Sequence, residues 1–87
     1  MIFEKSLVLI PVFNEEEQII NIINECKKYF KHILCVDDGS SDSTYKLIDE
    51  LKDIILLSHC INCGQGTALL TGIKYFLKYT NLEYLIT

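Results

Sequence analysis

Unbroken apolar runs alternating with helical stripes constrain this chain more than any other feature. Leu7-Val8-Leu9-Ile10, Ile33-Leu34-Cys35-Val36 and Ile54-Ile55-Leu56-Leu57 contain no polar residue, and Glu83-Tyr84-Leu85-Ile86-Thr87 opens a fourth run. A strand with one wet face alternates apolar and polar positions. A run that does not alternate needs cover on both faces, as in a parallel sheet flanked by helices. Between the runs, apolar residues recur at helical spacing: Ile19, Ile23, Cys26 and Phe30; Thr44, Leu47, Ile48 and Leu51; Leu69, Ile73 and Phe76. These stripes predict helices over about Glu15 to Tyr29, Ser43 to Lys52 and Thr67 to Tyr79. Asn14 followed by Glu17 has capping-box spacing for the first helix, and Pro11 is expected to end the first strand. The order is βαβαβαβ. With right-handed crossovers it predicts an α/β fold, a three-layer α/β/α sandwich around a parallel sheet.

With 87 residues the chain suits one small domain with a modest core, and a hydrophobic content of 49% argues against disorder. The net charge is −4, and the cationic side chains are all lysine, with no basic stripe. No nucleic-acid partner is expected, because such binding rests on many cationic contacts to phosphate. No apolar run approaches the roughly 18 residues of a membrane span. Met1-Ile2-Phe3-Glu4-Lys5 lacks the basic region and cleavage site of a signal peptide. The expected compartment is the cytoplasm, with Cys26, Cys35, Cys60 and Cys63 as reduced thiols.

In open α/β sheets, ligands bind beyond the carboxyl ends of the strands. Three polar or glycine-bearing loops leave those ends: Pro11 to Glu15, Asp37 to Asp42 and Asn62 to Gly66. Asp37 and Asp38 are adjacent, and neighbouring side chains on a strand point to opposite sides. One can face a cleft and accept hydrogen bonds from a base or a ribose, while the other caps its own turn. The same segment also reads as a plain capped turn, with Gly39 at a permissive φ and Asp42 or Ser43 capping the next helix. Glu15 equally reads as a helix-dipole partner. Gly64-Gln65-Gly66 could offer backbone N–H groups to a phosphate but matches no established phosphate fingerprint. Gly72 suits close helix–sheet packing. Cys60-Ile61-Asn62-Cys63 has redox or half-zinc-site spacing; His59 adds a third ligand, and no fourth is evident.

Taken in order, these loops resemble those of family 2 glycosyltransferases. Leu9-Ile10-Pro11-Val12-Phe13-Asn14-Glu15 resembles their opening strand and turn, and Val36-Asp37-Asp38-Gly39-Ser40-Ser41-Asp42 their Asp-Asp-Gly-Ser loop. Asn62-Cys63-Gly64-Gln65-Gly66-Thr67-Ala68 with Gly72 resembles their third motif, Asn-x-Gly-x-Gly-x-Ala with a later glycine. The resemblance is closest to the branch of dolichyl-phosphate mannosyltransferases and related polyprenyl-phosphate glycosyltransferases. It implies the N-terminal half of a GT-A fold, with residues 1–87 as a single, truncated nucleotide-sugar-binding domain and strand order 3-2-1-4. It implies inverting transfer of a sugar from a UDP- or GDP-linked donor. Pro11, Phe13 and Glu15 would lie against the nucleoside, and Val36 and Asp38 would line the base pocket. Asp37, Gly64, Gln65 and Gly66 are weaker candidates beside it.

Phe13 stands where tyrosine is frequent in the family, and Cys63 is unusual in the third motif. The resemblance implies magnesium or manganese in the full-length enzyme, held by an Asp-x-Asp motif after the fourth strand, with a catalytic base further on. Neither is present up to Thr87, so the chain alone is expected to bind no metal and to transfer sugar slowly or not at all. The full enzyme is expected at the cytoplasmic face of a membrane through a lipid acceptor, and the piece is expected to self-associate through an open sheet edge. The competing readings are a non-catalytic nucleotide-binding module that works with a second chain, and a small CxxC redox protein.

Overall fold

The computed structural model describes residues 3–87. The part of the signal-peptide reading that rests on Met1 and Ile2 lies outside the described residues. The elements are β1 (Phe3–Val12), α1 (Ile19–Lys27), β2 (Phe30–Asp37), α2 (Thr44–Asp49), β3 (Ile54–Ser58), α3 (Gln65–Tyr79) and β4 (Tyr84–Ile86). All strand pairs are parallel, and the sheet order is β3-β2-β1-β4. The expected α/β fold and strand order are both found.

The unbroken apolar runs follow from two separate cores. Val8, Val12, Ile33 and Cys35 point to one face, where they meet Ile19 and Ile23 of α1 and Ile48 of α2. Leu7, Leu9, Leu34 and Val36 point to the other face and meet Ala68 of α3, with Tyr75 and Phe76 packed against them. In the central segments of β1 and β2, Leu7 to Leu9 and Ile33 to Val36, each residue is therefore buried whichever way the pleat turns it. Gly72 in α3 is needed for this contact, since a Cβ there would overlap the Leu9 side chain. Cys35 is fully buried, and burial, ahead of the neighbouring Cys26 and Asp37, pushes its thiol up to about 12. It is an unreactive core residue.

Several boundaries differ from expectation. β1 runs through Pro11 to Val12, with Pro11 in register with Val36. β4 pairs with β1 only at Ser6 to Val8, so on that side of Pro11 there is no ladder for a missing N–H to interrupt. The helix expected from Glu15 begins at Ile19, and the Asn14 capping box does not form. Asn14 takes a left-handed φ of 51°, and the backbone N–H groups of Gln18 and Ile19 close a turn onto the Glu15 carbonyl. α2 is shorter than expected. β2 starts at Phe30, which the helical stripe assigns to the first helix. At the open edge, Tyr84 and Ile86 of β4 are exposed.

Leu34 sits at the centre of the sheet with none of its surface exposed. Leu34→Ala is expected to lower stability by about 2–5 kcal/mol. Gly72→Ala is expected to cost about 1–3 kcal/mol through overpacking against Leu9, and pairing it with Leu9→Val should recover part of that loss. Urea unfolding monitored by circular dichroism measures each. A Gly72→Ala chain as stable as the parent would show that Leu9 yields freely.

Candidate functional site

The pleat of β2 continues past its last paired residue and separates the two adjacent carboxylates. Asp37 and Asp38 are both almost fully buried, and they serve different loops. Asp37 accepts from the Ser40 hydroxyl at 2.5 Å and from the Ser40 N–H at 3.3 Å, closing its own turn. Asp38 accepts from His59 Nδ1 at 2.8 Å and from the N–H groups of Cys63 at 2.9 Å and Gly64 at 2.8 Å. The loop after β2 is thereby tied to the loop after β3. Gly39, at φ +74°, lets them approach: a Cβ there would sit 2.5 Å from the Ile61 carbonyl carbon. A left-handed φ and a close backbone neighbour both call for glycine.

The same middle loop also holds the loop after β1. Asn14 N–H donates to Ser40 Oγ, and Asn14 Oδ1 accepts from the Ser41 N–H, each at 2.9 Å. Glu15 N–H donates to Thr44 Oγ1 at 2.9 Å, and Glu16 Oε2 accepts from Ser43 N–H at 3.0 Å. Asp42 accepts from Thr44 N–H at 2.9 Å and from Glu16 N–H at 3.3 Å. Asn14, which a capping box would have used inside one helix, instead bridges two loops, with Glu16 beside it. In α2 the N-terminal N–H of Thr44 is met by Asp42, not by the side chain of Ser43.

Between these loops, at the carboxyl end of β1, lies a cavity of about 350 Å³ lined by Pro11, Val12, Phe13, Glu15, Asp38, Gln65 and Ala68. It brings together Pro11, Phe13, Glu15, Asp38 and Gln65 among the sequence candidates. Val36 does not line it, because the pleat turns that side chain into the core beneath α3. Asp37 is turned away toward Ser40. Gly64 and Gly66 flank the cavity without lining it, and the Gly64 N–H already donates to Asp38 and to Asn62 Oδ1. His59 and Thr71 were not singled out as parts of this site. His59 Nε2 lies 2.8 Å from Thr71 Oγ1, which makes an Asp38–His59–Thr71 chain. Thr71 comes one helical turn after Thr67 and carries no local sequence signal; only the fold brings it to His59.

The Asp38 carboxyl is held below the usual aspartate range, first by the hydrogen bond from His59 and then by the Cys63 N–H; burial works in the opposite direction. In the neutral imidazole an ionised Asp38 calls for the proton on Nδ1, which leaves Nε2 to accept from the Thr71 hydroxyl. A carboxylate has about four acceptor directions. Three of those on Asp38 are filled, two at Oδ1 and one at Oδ2. One direction at Oδ2 has no partner among the described residues, and Asp38 is part of the cavity lining. The Asp42 carboxyl is raised by partial desolvation, but hydrogen bonds from the Thr44 hydroxyl and N–H outweigh this and lower it.

Both carboxyls therefore bind protons less readily folded than unfolded. The stability they contribute is present above the unfolded aspartate value of about 3.9 and is lost as pH falls through the lower folded values. Asp42→Asn should open a stability gap from the parent that is complete above about pH 5 and closes below about pH 4. Urea midpoints measured across that range check this, and a gap independent of pH would rule out a role for the charge.

The family model described as Glycosyl transferase family 2 matches residues 7–85. Among curated relatives, a UDP-N-acetylglucosamine–dolichyl-phosphate N-acetylglucosaminyltransferase of Methanococcus voltae is 34% identical, over 77% of this chain and 34% of that protein. A polyprenol monophosphomannose synthase of Mycolicibacterium smegmatis is 37% identical, over 86% of this chain and 31% of that protein. An uncharacterised protein of Methanocaldococcus jannaschii is 40% identical, over 87% of this chain and 31% of that protein. The chain spans about a third of the length of the curated relatives it matches. No solved structure matches it. With the family model covering almost the whole chain and its three motif loops meeting at one cavity, the chain belongs to glycosyl transferase family 2.

Proposed function

We propose that this chain is the donor-binding part of an enzyme that transfers a sugar from a nucleoside-diphosphate donor to a polyprenyl phosphate. The observation that carries this reading is the cavity at the end of β1, where Phe13, Glu15, Asp38 and Gln65 converge. Phe13 is an exposed aromatic face at its wall, suited to stacking on a base. Asp38 presents one free acceptor direction to a base N–H, and its lowered pKa keeps it an acceptor at neutral pH. Glu15, in the cavity lining, would accept from ribose hydroxyls in this reading. Gln65, at the start of α3, forms the opposite side. Residues 1–87 act together as one nucleotide-sugar-binding unit in this reading. The named activities of the Methanococcus and Mycolicibacterium relatives support a polyprenyl-type acceptor, and the former supports a UDP-linked donor.

Family 2 enzymes generally use a divalent metal. The residues present do not fit the magnesium or manganese site of such an enzyme. Glu15 and Asp38 are the carboxylates that line the cavity. Of these, Asp38 has an imidazole and a thiol beside it rather than the oxygen donors magnesium prefers. These residues supply binding and orientation of the donor nucleoside. No helix among the described residues is long and apolar enough to cross a membrane. A lipid-linked acceptor would bring the enzyme to the cytoplasmic membrane surface.

Isothermal calorimetry with UDP and GDP tests the assignment. Asp38→Ala should weaken nucleotide binding by about 10- to 150-fold, the worth of a hydrogen bond to a charged acceptor. Asp37→Ala should weaken it less, because Asp37 faces Ser40 and not the cavity. Equal losses at the two positions, or no binding of either nucleotide by the parent chain, would overturn the division of roles.

A further inference from the structure

The loop after β3 assembles a second group around Asp38. A carboxylate oxygen of Asp38, a ring nitrogen of His59 and Sγ of Cys63 all lie within 4.8 Å of one another. We propose that Asp38, His59 and Cys63 form a binding site for a thiophilic divalent cation of the zinc class. The proposal does not depend on what occupies the cavity.

The donor set carries the argument. Carboxylate oxygen, imidazole nitrogen and thiolate sulfur together suit zinc or cobalt, and the sulfur disfavours magnesium. At zinc bond lengths of about 2.0–2.3 Å, tetrahedral donors stand about 3.3–3.8 Å apart. The observed grouping needs a contraction on the order of 1 Å, together with a slight opening of the Asp38–His59 pair. The part free to move is the Cys63 side chain, which is exposed and whose hydrogen bond is a weak one to the Ile61 carbonyl at 3.4 Å. The part that must stay fixed is already held. Metal-bound histidines characteristically use their other ring nitrogen to donate to an outer partner. Thr71 Oγ1, 2.8 Å from His59 Nε2, stands in that place.

The proton inventory closes. Before metal binds, Nδ1 carries the imidazole proton toward Asp38 and Nε2 accepts from Thr71. On binding, that proton resides on Nε2 and is donated to Thr71 Oγ1, a hydroxyl able to play either part. Nδ1 gives its lone pair to the metal. The Cys63 thiol releases one proton to solvent as the S–metal bond forms. Two anionic donors then neutralise the dication, and water takes the fourth position. Cys60 lies outside the group of ligand atoms, although its spacing from Cys63 gave the sequence its half-site appearance. Asp38 would then be shared, with Oδ1 toward the metal and Oδ2 toward the cavity.

The test is titration of the reduced, metal-free 87-residue chain with cobalt(II), read by absorbance and without nucleotide. A near-ultraviolet thiolate-to-cobalt band should saturate at one equivalent, vanish on adding zinc, and persist in excess magnesium. Cys63→Ser should abolish the band, whereas Cys60→Ser should leave it. Circular dichroism should show both variants folded, since both thiols are exposed. Thr71→Val should weaken cobalt binding by about 10- to 100-fold. Absence of the band at stoichiometric cobalt, its survival in Cys63→Ser, or its loss in Cys60→Ser would overturn the site.

Discussion

Everything at the carboxyl edge of this sheet depends on the divergence of two neighbouring carboxylates. Val36, Asp37 and Asp38 continue the pleat of β2, so Asp37 takes the face of α1 and α2 and Asp38 takes the face of α3. Each carboxylate then becomes the anchor of a different contact. Asp37 orders Ser40, and Ser40 accepts from Asn14 in the loop after β1. Asp38 gathers His59, Cys63 and Gly64 in the loop after β3. Burying two like charges side by side is costly unless each is supplied with donors. Here each carboxylate has them, and no buried polar side-chain atom among the described residues lacks a partner. Desolvation that would be a penalty in isolation thus holds three loops in a fixed relation around a cavity.

The fold was legible in the sequence because its signals were of the strongest kind. Leu7 to Ile10 and Ile33 to Val36 admit no single-faced strand, and the intervening stripes have helical period. The boundaries were less legible, for reasons that lie in tertiary contacts. Asn14 and Glu17 have capping-box spacing, yet the loop after β2 supplies donors that compete with the local cap. Asn14 bonds to Ser40 and Ser41, and α1 starts only at Ile19. Pro11 reads as a strand terminator, yet nothing pairs with β1 beside it on the β4 side. Both misreadings come from judging a residue by its neighbours in sequence when its partners are across the sheet.

The candidate site was legible to a similar degree. That two adjacent aspartates diverge follows from strand geometry, and the convergence of three loops follows from parallel topology. Val36 shows the limit of motif transfer. It belongs to the matched segment, but the same alternation that aims Asp38 at the loop after β3 drives Val36 into the core under Ala68. His59 shows the opposite limit. Its sequence context pointed only to cysteine chemistry, while its actual partners, Asp38 and Thr71, lie 21 and 12 positions away.

His59 also bears on how a buried carboxylate can serve as a recognition group. An aspartate that is only 3% exposed would ordinarily tend toward its neutral form, and a neutral carboxyl would offer a base N–H a weaker acceptor. Hydrogen bonds from His59 and from two backbone N–H groups reverse that tendency without using every lone pair. The imidazole is held in turn by Thr71 on α3, and α3 is seated against β1 by the absence of a side chain at Gly72. The orientation of the acceptor at the cavity is therefore set by the packing of α3 on Asp38's own face of the sheet. A small residue at position 72 and a hydroxyl at position 71 contribute to the chemistry of a site that neither of them lines.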